Sequence, residues 1–120
     1  MAVTFIKTFK RTTVENPWFD AFTTAWSELQ TTWKSSGKIV GDLISWTKPD
    51  PLTRTFTRTF VNQAAFDEWH ANPIVVATQI QQRSYEITNN ITWTRVITNT
   101  DTGTTTTDSS ADYSLSLNKG

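Results

Sequence analysis

Apolar and polar positions alternate over Ala2 to Lys10, with Val3, Phe5, Lys7 and Phe9 on one face and Thr4, Ile6 and Thr8 on the other. A period of two marks a strand with one face buried. The period then changes. Trp18, Phe22, Trp26, Leu29 and Trp33 recur at spacings of three and four, which places them on one helical stripe. Asn16-Pro17 offers a cap with proline in the first turn, and Ser35-Ser36-Gly37 offers a left-handed stop. A helix is predicted between them. Lys38 to Lys48 reads as a second strand and Lys48-Pro49-Asp50-Pro51 as a turn. Leu52 to Val61 is a third strand: Leu52, Arg54, Phe56, Arg58 and Phe60 face one way, Thr53, Thr55, Thr57, Thr59 and Val61 the other. Asn62 caps a helix over Gln63 to Ala71 with Phe66 and Trp69 inward. Asn72-Pro73 breaks it, and more helix follows to about Tyr85. Ile91 to Thr98 is the last clear strand.

Strand, helix, hairpin, helix, strand predicts an α+β domain over residues 1–98, of ferredoxin-like βαββαβ order. Such a domain has a four-stranded antiparallel sheet with two helices on one face. The other face is left bare and needs a second subunit, a ligand or another protein to cover it. Residues 99–120 are rich in Thr and Ser and poor in apolar side chains, the composition of an arm rather than a core. Tyr113, Leu115 and Leu117 have strand spacing, so the arm either adds a strand to its own domain or lies across a neighbour.

Composition narrows the chemistry. The 120 residues suffice for one domain, and six Trp with seven Phe enlarge a core drawn from only 37% hydrophobic residues. Eleven basic and eleven acidic residues give no net charge, which weighs against a nucleic-acid partner. With no cysteine there is no disulfide, thiolate nucleophile or Cys-based metal site. A single histidine excludes a two-histidine metal site within one chain. Neither a signal-peptide stretch nor an 18-residue apolar run is present. The expectation is a cytoplasmic or virion protein with no membrane partner.

The segment RTFTRTFVNQAAFDEWHANPIV (Arg54 to Val75) resembles the strand-to-helix junction of the antibiotic-biosynthesis and haem-degrading monooxygenases of the dimeric α/β-barrel superfamily. Asn62, Ala65, Phe66, Trp69 and Pro73 fit that frame, and Gly37-Lys38-Ile39-Val40-Gly41 stands where those families enter their second strand. The resemblance implies a homodimer and a cavity between helices and sheet. At the positions where those enzymes carry Asn, Trp and the haem-binding His, this chain has Lys7, Phe60 and Gln79. The implied result is the fold without the oxygenation chemistry, and no cofactor is expected.

Candidate catalysis is sparse. His70 could serve as a general base with Glu68 or Asp67, but a solvated histidine on the outer helix face is the simpler expectation. Asp20 and Glu28 fall on the polar side of the first helix. No Gly-rich phosphate loop or nucleophile elbow is present. The Arg54, Phe56, Arg58, Phe60 stripe, extended by Trp93 and Arg95, has the strand order of an RNA-recognition motif, but Thr55 and Arg58 break that motif's pattern. The stripe could equally be a packed face with Arg stems over aromatic rings. Two functions follow. One is a non-enzymatic assembly protein, for example a virion component. It would contact itself or other structural proteins through Arg54, Phe56, Arg58, Phe60, Trp93, Arg95, Tyr113, Leu115 and Leu117. The other is a small aromatic-ligand binder or cofactor-independent monooxygenase-like protein, with Trp26, Trp46, Phe60, Trp69 and His70 around the ligand.

Overall fold

The first strand, β1 (Val3–Arg11), runs down the middle of an antiparallel sheet and pairs on both sides, from Val3 to Lys10 on one and along its whole length on the other. The structure is a computed structural model, and it describes residues 2–43 and 46–112. On one side of β1 lies β4 (Thr53–Phe60), and on the other β5 (Ile91–Asn99). Outside β4, two short strands share one edge: β2 (Ile39–Val40) beside Phe60 and Thr59, and β3 (Trp46–Asp50) beside Phe56 to Thr53. Outside β5 comes β6 (Thr104–Ser109), followed by a 3-10 turn, Ser110–Asp112. The order is β2–β4–β1–β5–β6, with β3 also on β4. The chain is therefore α+β, with six strands among the described residues rather than the four expected.

Three helices are described: α1 (Thr24–Ser35), α2 (Gln63–Ala71) and α3 (Pro73–Thr88). All three contribute to one core with the sheet, where Trp33, Trp69 and Val75 meet Phe5 and Phe60. A second cluster joins Phe9, Ile91 and Trp93, with Trp18, Trp46 and Tyr85 packed against it. Edge-to-face and tilted ring pairs fill these clusters, among them edge-to-face Trp33–Trp69 at 5.1 Å and Trp26–Trp69 at 5.3 Å. Each such pair adds about 1 kcal/mol beyond area burial.

The helix boundaries follow local chemistry. The Asn62 side chain accepts from the Ala65 amide at 2.9 Å, and Asn72 accepts from Ile74 at 2.9 Å with Pro73 opening α3. Gly37, at φ 81°, turns the chain out of α1. The start of α1 differs from expectation. Thr23, not Asn16, caps it, by accepting from the Trp26 amide at 3.2 Å. Asn16 is held elsewhere, its Nδ2 donating to the Asn89 carbonyl at 2.9 Å, while Tyr85 donates to the Pro17 carbonyl at 2.6 Å. These contacts with the end of α3 keep residues 12–23 out of the helix.

The expected second strand is likewise broken. Gly41 takes φ 81°, and Lys34 Nζ donates to its carbonyl, so the chain turns out of the sheet after Val40; the next described strand is β3 from Trp46. β3 then continues through Pro49 to Asp50. The hairpin turns at Pro51-Leu52, where Asp50 accepts from the Leu52 amide at 2.8 Å. The Thr-rich segment after Asn99 forms β6 on its own sheet, so the added strand lies earlier than Tyr113, Leu115 and Leu117, which fall outside the described residues.

Candidate functional site

Strand alternation decides which side chains meet beneath the helices. The pairs Phe5–Arg58, Lys7–Phe56 and Phe9–Arg54 join β1 to β4, while Phe5–Ile97, Lys7–Arg95 and Phe9–Trp93 join β1 to β5. Directly opposed residues share a face. The helix-covered face is therefore a lattice of rings interrupted by cations, with Lys7, Arg54, Arg58 and Arg95 all buried. The opposite face holds Thr4, Thr8, Thr55, Thr59, Thr94 and Thr98, with Ile6 and Val96 opposed at its centre.

Between this lattice and the helices lies a cavity of about 220 Å³. Seven rings wall it: Phe5, Phe9, Phe22, Trp26, Trp46, Phe56 and Trp69. Lys7 and Arg58 reach it from the sheet, Gln30 from α1, and Gln79 and Gln82 from α3. Ser27, exposed on α1, stands at its rim.

The cations are held in different ways. Arg95 makes a two-pronged pair with Asp108 of β6, Nε to Oδ1 at 3.0 Å and Nη2 to Oδ2 at 2.6 Å. Arg54 sits over Trp46, 4.0 Å from the ring centre, and donates to the Phe19 carbonyl at 3.1 Å. Lys7 sits over the Trp93 ring at 4.1 Å. Burial pulls its ammonium well below the usual lysine range, with the Glu86 carboxylate opposing, and burial pushes Glu86 upward, with Lys7 opposing.

Arg58 is only 3% exposed, and its two hydrogen bonds both leave through Nη2, to Gln30 Oε1 at 2.5 Å and the Leu43 carbonyl at 2.9 Å. Its Nε has no acceptor among the described residues. Burial lowers this guanidinium to about 10, so it remains charged at neutral pH. Gln79 Oε1, also buried, has no donor among the described residues.

The predicted residues divide. Trp26, Trp46 and Trp69 line the cavity, whereas Phe60 is buried in the core and His70 is not in the lining. His70 is not the solvated residue expected. Its ring lies 4.3 Å from Phe66, Nδ1 meets the Phe66 carbonyl at 2.8 Å, and Nε2 is 3.5 Å from Arg95 Nη1. Burial lowers its pKa to about 4, aided by the nearby charges of Arg95 and Lys7. Glu68 pairs instead with Lys38 at 2.8 Å on the surface, and Asp67 accepts from Gln63 at 2.9 Å.

The reading of Arg54, Phe56, Arg58, Phe60, Trp93 and Arg95 as a subunit contact is corrected: the chain's own helices cover that face, leaving Phe56 half-buried and the others buried. Gln79 does reach the cavity, as does Lys7. The signal for Lys7 was present in the sequence, a charge on the same stripe as Val3, Phe5 and Phe9. Gln30, Gln82 and Leu43 carried no such signal.

Among the described residues, no group of three or more His, Asp or Glu side chains is placed to hold a metal ion. No described helix is long and apolar enough to cross a membrane. Comparison with protein-family models, with curated proteins and with solved structures returned no match.

Proposed function

We propose that this chain is a small-molecule-binding domain that holds a flat aromatic ligand between its helices and sheet. The observation that carries this reading is the space left open among the cavity's seven rings. Protein interiors close voids of this size unless something fills them, and an apolar cavity of about 150 Å³ already accepts benzene. The 220 Å³ here suits one ring with a short side chain. A ferredoxin-like plan is part of the proposal. Its support is the central order β2/β3–β4–β1–β5, to which β6 adds an edge strand. The Asn62 cap and the inward Trp69 also agree with the resemblance to the dimeric α/β-barrel families.

A panel of one-ring aromatic compounds, titrated by calorimetry and by quenching of tryptophan fluorescence, tests the proposal. Ligands that bind should quench and raise the melting temperature. Ser27→Trp, which fills the rim, should abolish binding while leaving the far-ultraviolet dichroism intact. Binding that survives Ser27→Trp, or a panel without a binder, would reject the cavity as the site.

A second reading, a structural subunit that assembles with copies of itself, has its own support on the opposite face. There Ile6 and Val96, 43% and 39% exposed, oppose one another amid threonines. Threonine hydroxyls pair across strands, Thr4 with Thr59 at 2.9 Å, and can do so between subunits. Light scattering on the intact chain and on Ile6→Lys tests it: an oligomer that Ile6→Lys splits supports this contact, and a monomer rejects it.

A further inference from the structure

We infer that the ligand is an aromatic carboxylate whose acid group is received by Arg58. The inference rests on the cavity being a ligand site, and it adds the chemical class. Its ground is an imbalance of charge. Lys7, Arg54, Arg58, Arg83 and Arg95 are buried, while Glu86 is the one buried carboxylate among the described residues and Asp108 is half-buried. Arg95 has taken Asp108. Arg54 has its guanidinium 4.0 Å from the Trp46 ring centre, where the ring's negative face attracts it. Arg58 has no carboxylate: its guanidinium lies 4.9 Å from the Phe56 ring centre and 5.6 Å from that of Trp69, but no ion pair among the described residues includes it, and burial accounts for its lowered pKa.

A guanidinium removed from water without an anion is costly, and the cost is recovered when an anion arrives. Arg58 meets the cavity with a buried Nε lacking an acceptor. Lys7 approaches from the neighbouring strand, diagonal to Arg58 across the Lys7–Phe56 pair. Two basic side chains on one wall of a largely ring-lined chamber suit a ligand with a ring at one end and a carboxylate at the other. The planar fork of Arg58 suits a carboxylate better than a lone hydroxyl. Gln79, with its buried carbonyl oxygen lacking a donor, suits a hydroxyl or amine on the ligand.

The test compares matched pairs, phenylacetate with phenylacetamide and 3-phenylpropanoate with its amide, by calorimetry at constant ionic strength. The acids should bind at least ten-fold more tightly than their amides. In Arg58→Met this preference should disappear while the amides keep their affinity, and in Arg58→Lys it should persist at reduced strength. Acid and amide binding equally to the unaltered chain would overturn the inference while leaving the cavity as a binding site. A preference that survives in Arg58→Met, with the fold intact by dichroism, would also overturn it. Failure of all four compounds to bind would remove the cavity reading and this inference together. Should Arg58→Met not fold, the Arg58→Lys comparison decides: an unweakened acid preference there counts against the guanidinium.

Discussion

Arg58 and Arg95 stand on the same covered face of the sheet, on the strands that flank β1. Both are 3% exposed, yet they are stabilised differently. On the β5 side, the edge strand β6 places Asp108 in register with Arg95 and closes a two-pronged ion pair. On the β4 side, the edge is shared by two short strands with a break between them, and Arg58 finds amide and carbonyl oxygens and the Phe56 and Trp69 rings, but no carboxylate among the described residues. One region carries its counter-charge within the fold. The other leaves a cationic, ring-lined chamber open. A buried charge is tolerated in either case only while something compensates it, and on the proposed function this difference separates a structural region from a receptive one.

The largest test removes the built-in partner. Asp108→Asn keeps the shape of β6 but leaves Arg95 without its carboxylate, and should cost about 4 kcal/mol in urea unfolding. A loss below about 1 kcal/mol would mean that solvent, and not Asp108, compensates Arg95.

Next comes the titration of His70, which contacts the Arg95 side. Its folded pKa, about 4, lies below the ordinary 6.5, so the unfolded chain takes up the proton first as pH falls. Its contribution is full above pH 6.5 and declines as pH falls towards 4. Relative to His70→Gln, the unaltered chain should lose up to about 3 kcal/mol over that window. Measuring both proteins together cancels the opposite trend of Glu86, whose raised pKa favours the folded state at lower pH. Parallel pH profiles for the two proteins would contradict the burial of His70.

The smallest effect has the opposite sign. Arg58→Met removes a buried charge that has no carboxylate, and without ligand it should gain about 1 kcal/mol in the same unfolding assay. A loss comparable to that of Asp108→Asn would erase the distinction between the two regions.

Several elements were legible because their causes are local. The threonine–arginine–phenylalanine alternation of β4, the Asn62 and Asn72 caps, Pro73 and the left-handed Gly37 each act within a few residues. The start of α1 was not legible. Asn16-Pro17 has the composition of a cap, but its side chain and carbonyl bond to the end of α3, more than 60 residues away in the chain. The break at Gly41 was hidden within an apolar run, since a single permissive residue does not say that it will be used. β6 was hidden by its polarity: TTTTDS has threonine's strand propensity but no apolar face to fix it until β5 offers an edge and Arg95 a partner for Asp108.

The candidate site was half legible for a related reason. The tryptophans were visible as ring-bearing positions, and Lys7 as a charge on an apolar stripe. Arginines, however, are usually at the surface, so the Arg54–Phe60 stripe resembled an outer contact. Alternation alone separates two faces of a strand without saying which one the helices will cover.

The sequence by itself determined the α+β character, the two-faced strands and the aromatic content of the interior, because side-chain period and capping are properties of neighbouring residues. The tertiary structure alone decided which face was covered, which arginine obtained an acid and which did not, and where the rings failed to close. Those outcomes depend on register between strands distant in the chain, and therefore on which charges are brought within reach of one another once water is excluded.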